Sequence, residues 1–474
     1  MAITPSTVFS AAAIQAVTSD NYLDIQDNGW AQQYLPDLIA KESEIYGKRT
    51  VAGFLDQVGA EEAMSADQVV WSEQGRLHLS YECTILSAAA STMKVAKDID
   101  GQTRTTDHGI RVGDQVLISG GGQTITALVT LAPAGDDDFT ALPYGGAHLS
   151  DMGFVDGDDT CKVLFFGSEN SKGLGYVGGR SNKPDFTSYS NKPIILKDQY
   201  EVSGSDASQI GWVEVSGEDG QNGYLWYLKA AGDTRSRFSD YLEMSMIESE
   251  KAHDDSTILG GANGLVGTEG LFAAIKSRGH QSSGVSGVNA ATDLAEFDAI
   301  LAEFDKNGAI EENMMFVNRA TALAVDDMLA SMNSYGAGGT SYGVFDNDED
   351  MALNLGFSGF RRGSYDFYKS DWKYLNDLAT RGGINAAATG GEAIRGVMIP
   401  AGVSSVYDEN LGKNLKRPFL HVRYRASQTE SRKLKTWTTG SVGATTSDLD
   451  AMTMNFLSER CLVTQGANNF MLLN

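Results

Sequence analysis

The chain reads as an α+β protein with a small β-barrel spliced between helical segments, and three stretches carry that reading. Between residues 109 and 167, Ile110, Val112, Val116 and Ile118 share a period-2 face. Residues 125 to 131 make a second strand after the turn Ser119-Gly120-Gly121-Gly122, and Val163-Leu164-Phe165-Phe166 closes the block. Short alternating strands punctuated by Gly and Asp clusters are the pattern of a small sandwich or barrel. Further on, Phe238, Tyr241, Leu242 and Met246 share one face of a long polar helix. After it, a helix, a buried strand and another helix follow in an order that suggests a compact α/β subdomain.

Residues 1 to 65 hold two helical stretches with little core of their own. Val8, Phe9, Ala12 and Ala13 make one apolar stripe, and Trp30, Tyr34, Leu38 and Ile39 make another beyond the Asn28-Gly29 turn. So much apolar surface on a thin segment needs something to lie against. Two readings stand: a helix on its own body, or an arm whose Trp30 and Tyr34 contact a neighbouring copy. From 68 to 89, Val69, Val70 and Trp71, then Leu77, Leu79 and Tyr81, flank Glu73-Gln74-Gly75 as a hairpin candidate. The barrel is expected at about 97–168. Residues 167–192, rich in Gly, Ser and Asn, read as a flexible loop, and strand resumes at Ile194-Ile195-Leu196 and Tyr200-Glu201-Val202.

The long helix is expected over about 233–258, capped by Asp233 or Thr234 and stopped by Gly260-Gly261. Ser245, Ser249 and Ala252 join its apolar face, while Asp240, Glu243, Glu250 and Lys251 lie opposite. Met244 and Ile247 fall on the charged side, where a monomer would expose them, so they are candidate inter-subunit contacts. Leu294, Phe297, Leu301 and Phe304 define the next helix, ended by Asn307-Gly308. Met314-Met315-Phe316-Val317 is a buried strand, and Leu323, Ala324 and Met328 mark another helix. Tyr365, Phe367 and Lys369 alternate in a later strand. A long β stretch runs over 415–437, and a terminal strand over 462–473. No internal repeat or heptad occurs.

Composition narrows the function classes. A length of 474 residues allows roughly three units at ~150 residues each. The 42% hydrophobic content fills real cores. A net charge of −25 argues against a nucleic-acid binder, because phosphate neutralisation needs excess Lys and Arg. It fits a protein that stays soluble at high concentration or faces nucleic acid without gripping it. Cys83, Cys161 and Cys461 are far apart and odd in number, so reduced thiols are expected rather than a disulfide framework or a zinc ribbon. The N-terminus has no basic n-region of a secretory signal, no N-x-[ST] sequon occurs, and no apolar run approaches the ~18 residues of a bilayer span.

Motif matches do not lead to chemistry. Gly173-Leu174-Gly175-Tyr176-Val177-Gly178 fits G-x-G-x-x-G, but Gly179-Arg180-Ser181-Asn182-Lys183-Pro184 follows, a loop where a dinucleotide site needs a helix N-terminus. Gly339-Thr340-Ser341-Tyr342-Gly343 fits a nucleophile elbow without the buried strand it requires. Asp346-Asn347-Asp348-Glu349-Asp350 has alternating oxygens, but Met351 and Phe357 stand where a calcium loop needs Gly and Glu. The histidines show no metal-binding spacing, and His253, near the end of the long helix, suits a dipole role. No cofactor or metal is expected. Charge is uneven: from Lys413 to Lys435 there are eight bases and one acid, Glu430, and from Asp293 to Asn313 seven acids and one base, Lys306. These are either ordinary solvated faces or complementary surfaces of different copies, with Arg432, Lys433 and Lys435 as candidate contacts.

The order of elements resembles that of tailed-phage major capsid proteins with the Hong Kong 97-like fold. Asp67-Gln68-Val69-Val70-Trp71 through Leu77-His78-Leu79-Ser80-Tyr81 looks like the start of that family's extended loop. Tyr200-Glu201-Val202-Ser203-Gly204-Ser205 resembles the strand leading back to its spine helix. The closing residues 457–470, Leu457-Ser458-Glu459-Arg460-Cys461-Leu462-Val463-Thr464-Gln465-Gly466-Ala467-Asn468-Asn469-Phe470, with Asn21-Tyr22-Leu23-Asp24-Ile25-Gln26-Asp27, are similar to crAss-like and podovirus members.

The resemblance implies an N-terminal arm (1–65), an extended-loop region with the inserted barrel (66–204) and a peripheral domain with the spine helix (205–284). An axial domain (285–395) and a return to the peripheral and axial sheets (396–474) complete it. It implies no catalytic residue. It further implies a virion shell subunit, assembled in host cytoplasm, that forms hexamers and pentamers around double-stranded DNA, with portal and auxiliary or decoration proteins as partners and no membrane. A β-rich secreted or surface binding protein such as an adhesin is the alternative, and an enzyme on an α/β core the third.

Overall fold

The computed structural model describes residues 54–55, 60–74, 80–98, 103, 108–133, 137–173, 175, 186–205, 214–216, 222–254, 256–259, 265–307, 310–334, 359–388, 393–401, 403–408, 413–441 and 446–474. Its chain falls into two compact units, Ser72–Tyr189 and the remainder, so the first interrupts the second in sequence.

Strands β1 (Ala60–Met64) and β2 (Val69–Gln74) come first. Next, β3 (Ser80–Ser87), β4 (Thr92–Asp98), β5 (Asp114–Gly120), β6 (Gln123–Leu131), β7 (Asp138–Pro143) and β8 (Cys161–Ser168) close an antiparallel barrel in the order β3-β4-β7-β6-β5-β8. The barrel therefore begins at Ser80, not near residue 97. Of the stretch expected to finish a hairpin with β2, Tyr81 lies in a barrel strand while Leu77 and Leu79 lie outside the described residues, and β2 pairs with β9 (Phe186–Asn191). Alternation made the barrel: Ile85, Met93, Val95, Val116, Ile118, Ala127, Val129 and Val163 point inward and are fully or nearly fully buried. Val112 leaves the expected face because it sits with Gly113 in a turn ahead of β5. Between β5 and β6, Gly121 and Gly122 both take positive φ (58° and 81°), the requirement of a two-residue turn matching strand twist.

Because the barrel has its own core, excising 80–168, which removes β3 to β8 whole and spares β2 and β9, and joining the ends with a short linker is expected to leave one cooperative melting transition. Inserted domains connect at neighbouring ends. A cut at Lys97 would split β4 and strand β3. Calorimetry of the excised chain checks this, and loss of cooperative unfolding would assign the barrel to the main core.

In the other unit, β10 (Ile194–Ser203) precedes a short hairpin, β11 (Glu214–Ser216) with β12 (Asn222–Tyr224), and then the long helix α1 (Leu225–Glu248). The helix starts eight residues before Asp233, so Asp233 and Thr234 lie inside it, and it ends well short of Gly260. His253 is thus outside its last turn. Phe238 and Leu242 pack on Phe456, Leu196 and Met454 of the sheet beneath, with Phe238 and Phe456 ring centroids 5.9 Å apart.

Helices α2 (Leu271–Arg278), α3 (Ala290–Asn307) and α4 (Arg319–Ser334) follow, interleaved with β13 (His280–Ser282) and β14 (Glu312–Val317). Asn289 and Asn318 cap α3 and α4 by accepting from the backbone N–H three residues on. Then come β15 (Gly359–Arg362), β16 (Tyr365–Asp371), the short α5 (Lys373–Asn376) and α6 (Arg381–Ala387), and β17 (Gly396–Pro400). The expected long β stretch is three strands and a hairpin partner: β18 (Val403–Asp408) with β19 (Lys413–Pro418), then β20 (Leu420–Arg425) and β21 (Lys435–Gly440). The expected terminal strand is likewise divided, into β22 (Ala451–Thr464) and β23 (Met471–Leu473).

Two sheets organise this unit. One runs β1-β20-β22-β10 with β21 also on β22, and the other runs β13-β23-β17-β14-β16-β15. The central strands of the six-stranded sheet, β14, β17 and β23, are buried on both faces, which explains their unbroken apolar runs. Met315, Val317, Met398 and Met471 face α3 and α4, packing on Phe297, Phe304, Val325 and Met328. Phe316, Val397, Ile399 and Leu472 face the opposite core, which also takes Leu420, Val422 and Leu462 from the first sheet. The two sheets therefore share one core.

Candidate functional site

Each residue singled out by sequence has a definite position or lies outside the described residues. Trp30 and Tyr34 lie outside them, as do 339–343, 346–350 and most of the G-x-G-x-x-G stretch. Met244 and Ile247 are not exposed. Ile247 is 2% exposed in the core shared by the two sheets, and Met244 packs against it half-buried. The charged side of α1 is covered because the helix end is enclosed by α2 and by Phe54 and Leu55. Glu243, expected in solvent, is buried and accepts from the Leu55 backbone N–H at 2.8 Å.

The basic segment finds its acids within its own chain. Arg432 Nε lies 2.7 Å from Glu459, Lys433 pairs with Glu61, and Lys435 lies 2.6 Å from Glu430. Arg423 reaches Glu62 at 2.7 Å across the parallel β1–β20 pair, and Arg425 pairs with Asp67. Lys435 holds the Glu430 carboxyl below its ordinary range. Sequence showed the bases but not these partners, because Glu61, Glu62 and Asp67 sit some 360 positions away and only the β1–β20 pairing joins them.

The acidic run is also internally used. Asp293 accepts from Gly287 N–H, Asp298 pairs with Arg362, Asp305 accepts from Tyr365 Oη at 2.8 Å, and Glu303 pairs with Lys306. Within one chain these charges are therefore met by their own partners. Accordingly Arg432→Glu with Lys433→Glu is expected to destabilise the subunit itself by about 1–3 kcal/mol, from two lost partly buried pairs and two new repulsions. Thermal melting of the dissociated subunit measures this. Wild-type melting with failed assembly would return the patch to an inter-copy role.

The three cysteines are all free and buried. Burial pushes the Cys161 and Cys461 thiols up to about 12, and Cys83 higher still, so none is an activated nucleophile. Among the described residues no group of three His, Cys, Asp or Glu could hold a metal ion, and no helix is long and apolar enough to cross a membrane. Among the described residues, what the arrangement does is join distant segments into shared cores.

No family profile and no curated protein matches the chain. Among solved structures it is similar to the capsid of the cyanophage P-SCSP1u, at 9% identity and a TM-score of 0.40, with 93% of each chain covered. It is also similar to the mature capsid of bacteriophage PhiM1, at 8% identity and a TM-score of 0.39 over 92% of this chain and 91% of that one. The capsid of the native GTA particle gives 10% identity and a TM-score of 0.39 over 93% of this chain and 95% of that one.

Proposed function

We propose that the chain is a major capsid protein of a tailed bacteriophage, with the Hong Kong 97-like plan and the barrel inserted in its extended loop. The observation that carries this reading is the path of the C-terminal run: β22 completes the sheet under the long helix, and β23 then enters the six-stranded sheet. One return segment serving both sheets is the order the sequence resemblance implies. The barrel interrupting the chain before the long helix supports it further. In this reading α1 is the spine helix, the six-stranded sheet with α3 and α4 is the axial part, and the arm bearing Trp30 and Tyr34 is confined to residues before Phe54, because Phe54, Leu55 and β1 belong to the body rather than to an arm reaching to 65.

Copies assemble as hexamers and pentamers in host cytoplasm, with portal and auxiliary proteins, around double-stranded DNA. The net charge of −25 lets such a shell contain the genome without gripping it. Sedimentation velocity of the purified protein tests the reading. Species many times the 50.8 kDa subunit support it, and a monomer at all concentrations counts against it.

A further inference from the structure

We propose that Cys83 and Cys161 are a cross-strand dithiol that oxidation converts into a disulfide stapling β3 to β8 of the barrel. The two residues stand directly opposite each other in the antiparallel β3–β8 ladder, and both side chains are fully buried in the barrel interior. Directly opposed residues of an antiparallel pair have Cα atoms about 4.5–5.5 Å apart. That lies inside the window of about 4.4–6.8 Å that a disulfide spans, so no strand needs to move far. The closed ring would enclose every barrel strand between them. Cys461 has no such partner, since Arg423 stands opposite it on β20.

Access comes from the Cys161 end. Cys161 opens β8, and its sulfur lies under Gly120, where an added Cβ would sit only 2.3 Å from Sγ. The absent side chain at Gly120 is what makes room for the thiol. Movement of the Gly120–Gly122 turn therefore uncovers it without opening the barrel wall. The thiol is also hydrogen-bonded to Asp158, which disfavours the thiolate and makes the reaction slow near neutrality and faster at alkaline pH.

With a small disulfide such as oxidised glutathione as oxidant, the Cys161 thiolate attacks one sulfur and one glutathione thiolate leaves. The Cys83 sulfur then displaces the second glutathione from the mixed disulfide. In total, two protein thiols and one glutathione disulfide become one protein disulfide and two glutathione thiols, with the protons carried by the departing thiols. The step needs nothing from the proposed function.

The test treats the folded, reduced full chain with oxidised glutathione at mildly alkaline pH and maps the product by non-reducing peptide mass spectrometry. The same protein unfolded in denaturant is oxidised in parallel. The expected result is a Cys83–Cys161 link from the folded protein, mixed pairings from the unfolded one, and an upward shift of several degrees in barrel melting. Cys461→Ala should keep the link and the shift. Cys83→Ala should lose both, and if it fails to fold, the Cys461→Ala map decides alone. Three thiols still titrating, a persistent glutathione adduct, or a link involving Cys461 in the folded protein would each overturn the proposal.

Discussion

Trp372→Ala is expected to destabilise the unit containing the two sheets by about 3–5 kcal/mol, the range for removing a large aromatic from a packed core. Trp372 lies between β16 and α5, 5% exposed, with Phe54 stacked on it at 4.3 Å. Tyr374, Phe272 and Phe316 surround it with centroids 5.4, 6.1 and 6.2 Å away. No single neighbour can collapse into the space, because each belongs to a different element. Among the described residues the indole Nε1 has no hydrogen-bond partner, so Trp372→Phe leaves no polar orphan and should cost much less than the alanine change. Chemical denaturation of both variants measures the difference. Equal, small losses would show that the aromatic cluster does not tie these segments together.

The second large effect is expected at Asn191, the last residue of β9 and 1% exposed. Its Nδ2 donates to the carbonyls of Leu462 at 2.7 Å and Glu269 at 3.0 Å. Its Oδ1 accepts from the Glu269 N–H at 2.9 Å and from the Thr268 hydroxyl at 3.1 Å. One amide thus ties β9, β22 and the approach to α2. Asn191→Leu keeps the volume but leaves several buried backbone groups without partners, at about 1–3 kcal/mol each before relaxation. A loss of about 2–4 kcal/mol in denaturant unfolding is expected. Asn191→Ala should lose a similar amount, because the missing bonds, not the missing volume, dominate. A variant within experimental error of wild type would mean that water replaces the side chain's bonds.

What the sequence disclosed was periodic. Phe297 and Phe304 on α3 and the inward row of β5 sit where their spacing put them, since each packs against one face only. The long helix was legible in kind but not in extent. Gly232 followed by Asp233 and Thr234 has the composition of a helix start, yet the helix runs through it, at a local cost of about 1 kcal/mol for the glycine. Ile247 and Glu243 were misplaced for a different reason. A helical wheel assumes one buried face, and the end of α1 is enclosed on more than one side. The charge partners and Asn191 were out of reach because their contacts join residues hundreds of positions apart. Asn191 lies in a stretch whose composition reads as loop, and nothing local marks it as a buried knot of hydrogen bonds. The opposition of Cys83 and Cys161 likewise follows only from strand register.

Electron microscopy of the purified, overexpressed protein tests the central claim most directly. Closed shells, or rings with six-fold and five-fold symmetry, are the predicted result. Discrete single subunits under every condition that keeps the protein folded would contradict the account.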